Sequence, residues 1–158
     1  MSSRTLPRPP ASRKTRQFAI VASLFNEPYV QGLVDHATKE LKSLSPTAAV
    51  SLHHVPGAFE IPVVVRELAR QKKAEAILAL GVILQGKTSH AQNLARSVTD
   101  ALQQIAIDQG IPVINAVLSL ENDTQARERC LGSKINRGTE AARAALRIAD
   151  VMRDLRTT

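Results

Sequence analysis

Short apolar runs alternate with amphipathic stretches along almost the whole of this sequence, and that alternation constrains its fold more than any other feature. Phe18–Ser23 is an apolar run between polar neighbours, the pattern of a strand buried on both faces. A helix follows, in which Asn26 is placed to cap, Glu27 complements the helix dipole and Pro28 fits a first turn. Val30, Leu33, Val34, Ala37 and Leu41 recur at helical spacing and give it one apolar stripe. The cycle repeats with a strand at Val50–Val55, a Pro56-Gly57 turn, and a helix whose Ile61, Val64, Val65 and Leu68 share a face. Ala76–Leu84 reads as the central strand. A helix from near Thr88 then runs to Gly110, Pro112–Leu118 is a fourth strand, a short helix covers Thr124–Arg129, and a last helix spans Asn136 to about Leu155.

Strands that alternate with helices point to right-handed βαβ units. The expected fold is α/β: a three-layer α/β/α sandwich around a mostly parallel four-stranded sheet, flavodoxin-like. With 158 residues the chain supports one such domain. Aromatic residues are 3% of the total and Trp is absent, so Val, Ile, Leu and Ala must fill the core. Cys130 is the sole cysteine and excludes an internal disulfide, and no apolar run reaches the ~20 residues that span a bilayer, so the expectation is a cytoplasmic protein.

The net charge of +7 raises nucleic acid as a partner, so its distribution matters. Arg4, Arg8, Arg13, Lys14 and Arg16 carry five of those charges with no acid among them, which divides the chain into a basic, proline-containing arm at 1–17 and a nearly balanced domain at 18–158. No aromatic is interleaved with the basic residues to stack on bases, which argues for a solvated arm rather than a nucleic-acid site. The arm is also Arg- and Ser-rich like an organellar leader, but Pro7, Pro9 and Pro10 interrupt any amphipathic helix there.

In a parallel sheet of this kind ligands bind beyond the carboxyl ends of the strands, which singles out Leu24–Asn26, Pro56–Glu60, Gln85–His90 and Asn115–Ser119. Gly86-Lys87-Thr88-Ser89-His90 joins a glycine, a cation, two hydroxyls and the free N–H groups of a helix start, a set suited to an anion; plain helix capping explains the same residues. His90 stands where an imidazole moves protons for a bound substrate, or supports the fold. Glu60 sets a carboxylate beside free backbone N–H groups, fit either for a polyhydroxylated ligand or for the helix dipole. Phe25 offers a ring for stacking or for the core. Arg129 is either a second cation for the anion or a solvated helix residue. His36, His53 and His54 lack such a setting, and no cluster has metal-ligand spacing, so no metal is expected.

Four segments, in order, resemble the lumazine synthase family: Leu24-Phe25-Asn26, Val55-Pro-Gly-Ala-Phe-Glu-Ile-Pro62, Ala79-Leu-Gly-Val-Ile-Leu-Gln-Gly-Lys-Thr-Ser-His90 and Asn136-Arg-Gly-Thr-Glu-Ala-Ala142. The resemblance covers about Phe18 to Leu155. It implies condensation of 5-amino-6-(ribitylamino)uracil with 3,4-dihydroxy-2-butanone 4-phosphate, releasing phosphate and water and forming 6,7-dimethyl-8-ribityllumazine in riboflavin biosynthesis. By the same resemblance Phe25 stacks on the pyrimidine, Asn26 and Ala58, Phe59 and Glu60 hold ring and ribityl chain, and Val82, Ile83 and Leu84 line the strand end beside them. His90 moves protons, Lys87 and Thr88 receive the phosphate, and Arg129 reaches it from a neighbouring subunit of a homopentamer, twelve of which form a hollow shell in some members. Asn115 stands near the ring where many members carry phenylalanine. Gln85, Lys87, Ala91-Gln92 and Arg137 also depart from the commoner pattern, and the changes at Ala91-Gln92 and Asn115 motivate an alternative, a non-catalytic paralogue that binds lumazine or flavin or builds a shell.

Overall fold

The computed structural model describes residues 4–12 and 14–157. Four strands, β1 (Gln17–Ser23), β2 (Ala49–Val55), β3 (Ala76–Leu84) and β4 (Val113–Leu120), form one all-parallel sheet in the order β2-β1-β3-β4. The helices between and after them are α1 (Glu27–Leu44), α2 (Ile61–Gln71), α3 (His90–Gln109), α4 (Asp123–Ala126) and α5 (Arg137–Thr157). The order reverses at β1, and the three-layer flavodoxin-like expectation holds.

The strands sort their side chains by parity. Phe18, Ile20 and Ala22 of β1 and Leu78, Leu80 and Val82 of β3 pack on one face with the stripes of α1 and α5. Ala19 and Val21 of β1 and Ile77, Ala79 and Ile83 of β3 pack on the other with α2 and α3. Because β3 is covered on both faces, its run of apolar residues is uninterrupted, as the sequence pattern requires. Ile61 and Val65 anchor α2 on its side, with Val64 and Leu68 partly buried beside them. Gly110 closes α3 at φ 65°, a left-handed position that glycine takes without steric cost.

Glycine also sets how closely α1 and α5 approach. A Cβ on Gly138, near the start of α5, would overlap the carbonyl oxygen of Leu33 in α1. At Gly32 a Cβ would lie 2.5 Å from the Cys130 carbonyl oxygen. These two backbone contacts fix α1 against α5 and against Arg127–Leu131, one wide turn of π-helix that follows α4.

Two expectations need correction. β4 extends to Leu120 rather than ending at Leu118, because β3 runs to Leu84 and its Ile83 and Leu84 pair with Ser119 and Leu120. The basic arm, of which residues 1–3 and Arg13 lie outside the described residues, is not simply solvated. Arg8 donates to Glu40 at 2.9 Å and to Ser43, Arg143 donates to Glu40 and to the Leu6 carbonyl, and buried Arg16 pairs with Asp150. The arm lies on α1 and α5 of its own chain.

Candidate active site

Three strand ends meet at one edge of the sheet. The chain leaving β1 is tied to the end of β2 by backbone bonds, Leu24 N–H to the Val55 carbonyl (2.8 Å) and Phe25 N–H to the Pro56 carbonyl (3.1 Å). Asn26 then turns the chain into α1 with φ 58° and ψ 42°, a left-handed conformation that asparagine tolerates better than most side chains. Its backbone carbonyl receives the first helical bonds, but its side chain does not cap: Nδ2 donates to the Val82 carbonyl of β3 at 2.8 Å. The expected cap is instead a tie between two strand ends. It leaves the Phe25 ring 74% exposed, facing the space in front of the sheet.

Beyond β2, Ala58–Glu60 form a single 3-10 turn before α2. Glu60 folds back so that Oε2 accepts the Gly57 N–H at 3.1 Å, which fixes the carboxylate at the head of α2. Phe59 points outward and is 69% exposed. Beneath them β3 carries Gly81, where a Cβ would come within 3.3 Å of Ile61 and Val117 and 3.1 Å of the Ser23 hydroxyl. The missing side chain lets the head of α2 sit close to the sheet. Past β3 the Gly86–Ser89 segment is exposed, and His90 opens α3 with its N–H directed at Thr88 Oγ1.

These loops enclose a cavity of about 410 Å³. Phe25 and Asn26 wall it from β1, Ala58, Phe59 and Glu60 from β2, Val82, Ile83 and Leu84 from β3, and His90 from α3. Gly57, Ala91 and Leu94 complete it, although the sequence assigned none of the three a role in the site. Leu94 was legible as the residue one helical turn after His90 on the same face. Lys87 and Thr88 are outside the wall, on the exposed loop that precedes His90.

Asn115 and Arg129 are elsewhere. Asn115 is on the edge strand β4 opposite Ala79, three positions before the level of Val82, where its amide donates to Thr99 Oγ1 (3.2 Å) and accepts the Val117 N–H (3.1 Å). Arg129 belongs to the π-helical turn packed against α1, with Nη1 3.8 Å from Glu128 and Nε buried without a hydrogen bond. Within one chain neither reaches the cavity.

The cavity offers a flat ring, apolar strand ends, one carboxylate and one imidazole, with a cation and two hydroxyls on the loop beside it. That combination fits a planar, hydrogen-bonding ligand next to an anionic one. Among the described residues no group of three or more His, Cys, Asp or Glu is arranged to hold a metal ion. Burial pushes the Cys130 thiol up to about 12 against the opposing charge of Arg129, so it packs as an inert hydrophobe. His53 makes a 3.1 Å contact with Ser51, and neither it, His54 nor His36 lines the cavity. Among the described residues no helix is long and apolar enough to cross a membrane.

Comparison with known proteins agrees with this architecture. Residues 15–153 match the family described as 6,7-dimethyl-8-ribityllumazine synthase. The chain is 39% identical over 140 residues to the protein of that name from Halorhodospira halophila, covering 88% of this chain and 90% of that one. It is 40% identical to the one from Paraburkholderia phymatum over 85% and 77% of the two chains. Against the one from Chromobacterium violaceum the identity is 35% over 94% of each. With three of its four motifs lining one cavity at the end of a parallel sheet, and a family match over residues 15–153, the chain belongs to the 6,7-dimethyl-8-ribityllumazine synthase family.

Proposed function

We propose that this protein is a lumazine synthase, a transferase that condenses 5-amino-6-(ribitylamino)uracil with 3,4-dihydroxy-2-butanone 4-phosphate and releases phosphate and water in riboflavin biosynthesis. The observation that carries this is the convergence of Phe25, Glu60 and His90 on one cavity, directly beside the Gly86–Ser89 loop. Phe25 stacks on the pyrimidine ring. Asn26 and Ala58–Glu60 hold its polar edge and the ribityl chain, with Val82–Leu84 forming the floor. Lys87 and Thr88 receive the phosphate ester, where the N-terminal end of α3 adds a favourable field. His90 moves protons between the substrate amine, the carbonyl and the leaving phosphate. The substrates supply the electrophile and the nucleophile, so no cofactor is required, and most of the acceleration comes from holding the two in register.

Two further observations support a homo-oligomer. Phe25 and Phe59 are 74% and 69% exposed on one chain, an arrangement that a neighbouring surface resolves. Arg129 and Asn115, unable to reach their own cavity, are available to a neighbour's: Arg129 to the phosphate, Asn115 to the ring. A homopentamer closes this head-to-tail contact into a ring. The catalytic domain is residues 18–158, the 1–17 arm supplies no site residue, and the enzyme works in the cytoplasm on small molecules rather than nucleic acid.

Variants divide the roles. Phe25→Ala raises KM for the pyrimidine, Thr88→Ala raises KM for the phosphate ester, and His90→Ala lowers kcat by about a hundredfold with both KM values nearly kept. A His90→Ala protein with wild-type kcat removes His90 from the chemistry.

A further inference from the structure

The Gly86–Ser89 loop owes little of its shape to its own contacts. A Cβ on Gly86 would meet nothing within 4 Å, and every residue from Gly86 to His90 is exposed. Its position is inherited from its two ends. On the helix side the Asn93 N–H donates to the Ser89 carbonyl at 3.0 Å, the first turn of α3. On the strand side the Gln85 N–H donates to the Leu120 carbonyl at 2.8 Å, one step beyond the last paired residues of β3 and β4, Leu84 and Leu120. There the Gln85 side chain adds a second bond: Nε2 donates to Ser119 Oγ at 2.6 Å. Ser119 is paired with Ile83, so the side-chain bond reaches back across the Leu84–Leu120 rung and closes the sheet end on both sides of it.

We propose that Gln85 and Ser119 form a clamp that positions Lys87 and Thr88 for the phosphate ester. Gln85 is thus a positioning residue that does not touch substrate. The assignment rests on the phosphate role given to that loop above. Strand ends fray, and a loop hung from a fraying end samples a wide range of positions. A cation and a hydroxyl recognise phosphate only when held within about half an ångström of the productive geometry. Clamping the last rung narrows that range on the side from which Lys87 and Thr88 depart. The cavity wall made by Phe25 and Glu60 hangs from β1 and β2, and its floor at Val82–Leu84 is held by backbone pairing with β4 that the side-chain clamp does not supply, so the effect is confined to one substrate.

The test compares Gln85→Ala, Ser119→Ala, their double variant and Ser119→Thr, which keeps the accepting hydroxyl on an exposed strand position. In steady-state assays the two alanine variants raise KM for the phosphate ester about three- to tenfold, the effect of one lost hydrogen bond, with kcat within about twofold. KM for the pyrimidine is unchanged, the double variant is no worse than either single, and Ser119→Thr restores wild-type values. Inorganic phosphate, titrated calorimetrically without turnover, loses affinity by the same factor. Unchanged phosphate affinity and KM, effects that multiply in the double variant, or an equal rise in both KM values each overturn the clamp. Wild-type protein that binds inorganic phosphate yet forms no product overturns the functional reading instead, and the clamp is then judged on phosphate affinity alone.

Discussion

Asn26 combines two demands that different substitutions separate. Its backbone is left-handed at φ 58°, and its side chain ties β1 to β3 through the 2.8 Å bond to Val82. Replacing it with alanine loses the bond, at about 1 kcal/mol, and forces a Cβ-bearing residue without asparagine's tolerance into the left-handed region, at about 1 kcal/mol more. Asn26→Ala therefore costs about 2 kcal/mol. Asn26→Gly loses the same bond but adopts the left-handed conformation freely, and its gain there is partly offset by the larger entropy of an unfolded glycine. Its cost is about 1 kcal/mol. For a chain of this length each kcal/mol shifts the thermal midpoint by about 2–4 °C, so the two variants separate by that interval at one fixed protein concentration. Both also raise KM for the pyrimidine, because Phe25 is the adjacent residue and loses its fixed departure from β1. If glycine costs as much as alanine, the left-handed backbone is not what selects asparagine here. If neither costs anything, the Val82 tie does not hold the strand ends together.

Three further outcomes follow from the packing and charge of the folded chain. Gly138→Ala lowers stability by about 3 kcal/mol or more, because the new methyl meets the Leu33 backbone, which cannot swing aside, whereas Gly86→Ala, in open space, stays within about 0.5 kcal/mol of wild type; paired thermal melts read the contrast. Burial raises the Glu40 pKa, but hydrogen bonds from Arg8 and Arg143 outweigh it and hold the carboxyl below its usual 4.5. A depressed folded-state pKa contributes stability above 4.5 that is lost as pH falls toward the folded value. Glu40→Gln thus destabilises by about 1–2 kcal/mol near neutrality, and denaturation series show the gap closing in acid. Cys130, with a thiol pushed up to about 12 and no exposed surface, reacts with an aromatic disulfide reagent only on unfolding; rapid labelling of the native protein contradicts its burial.

The centre of the sheet was legible because β1 and β3 are buried on both faces and read as unbroken apolar runs, and β3 matches its expected limits at both ends. The end of β4 was not, since Ser119 and Leu120 become strand only by pairing with Ile83 and Leu84, a property of the partner. Nor was the docking of the arm, where the Arg8–Glu40 pair joins residues 32 positions apart that no local pattern links. That Phe25, Glu60 and His90 line one cavity was legible because the parallel topology sends every strand's carboxyl end to one edge. The side-chain role of Asn26 was missed for a physical reason. Asparagine before a helix usually caps it, and only the proximity of β3 offers the Val82 carbonyl instead. Arg129 and Asn115 were singled out from the sequence, but the roles given to them at phosphate and ring rest on the resemblance, and a single chain leaves both away from the cavity.

The most direct measurement mixes purified protein with 5-amino-6-(ribitylamino)uracil and 3,4-dihydroxy-2-butanone 4-phosphate, and follows lumazine absorbance and phosphate release together against buffer alone. The account predicts both products rising one for one, far above the spontaneous rate. Product formation at the rate seen in buffer would contradict it.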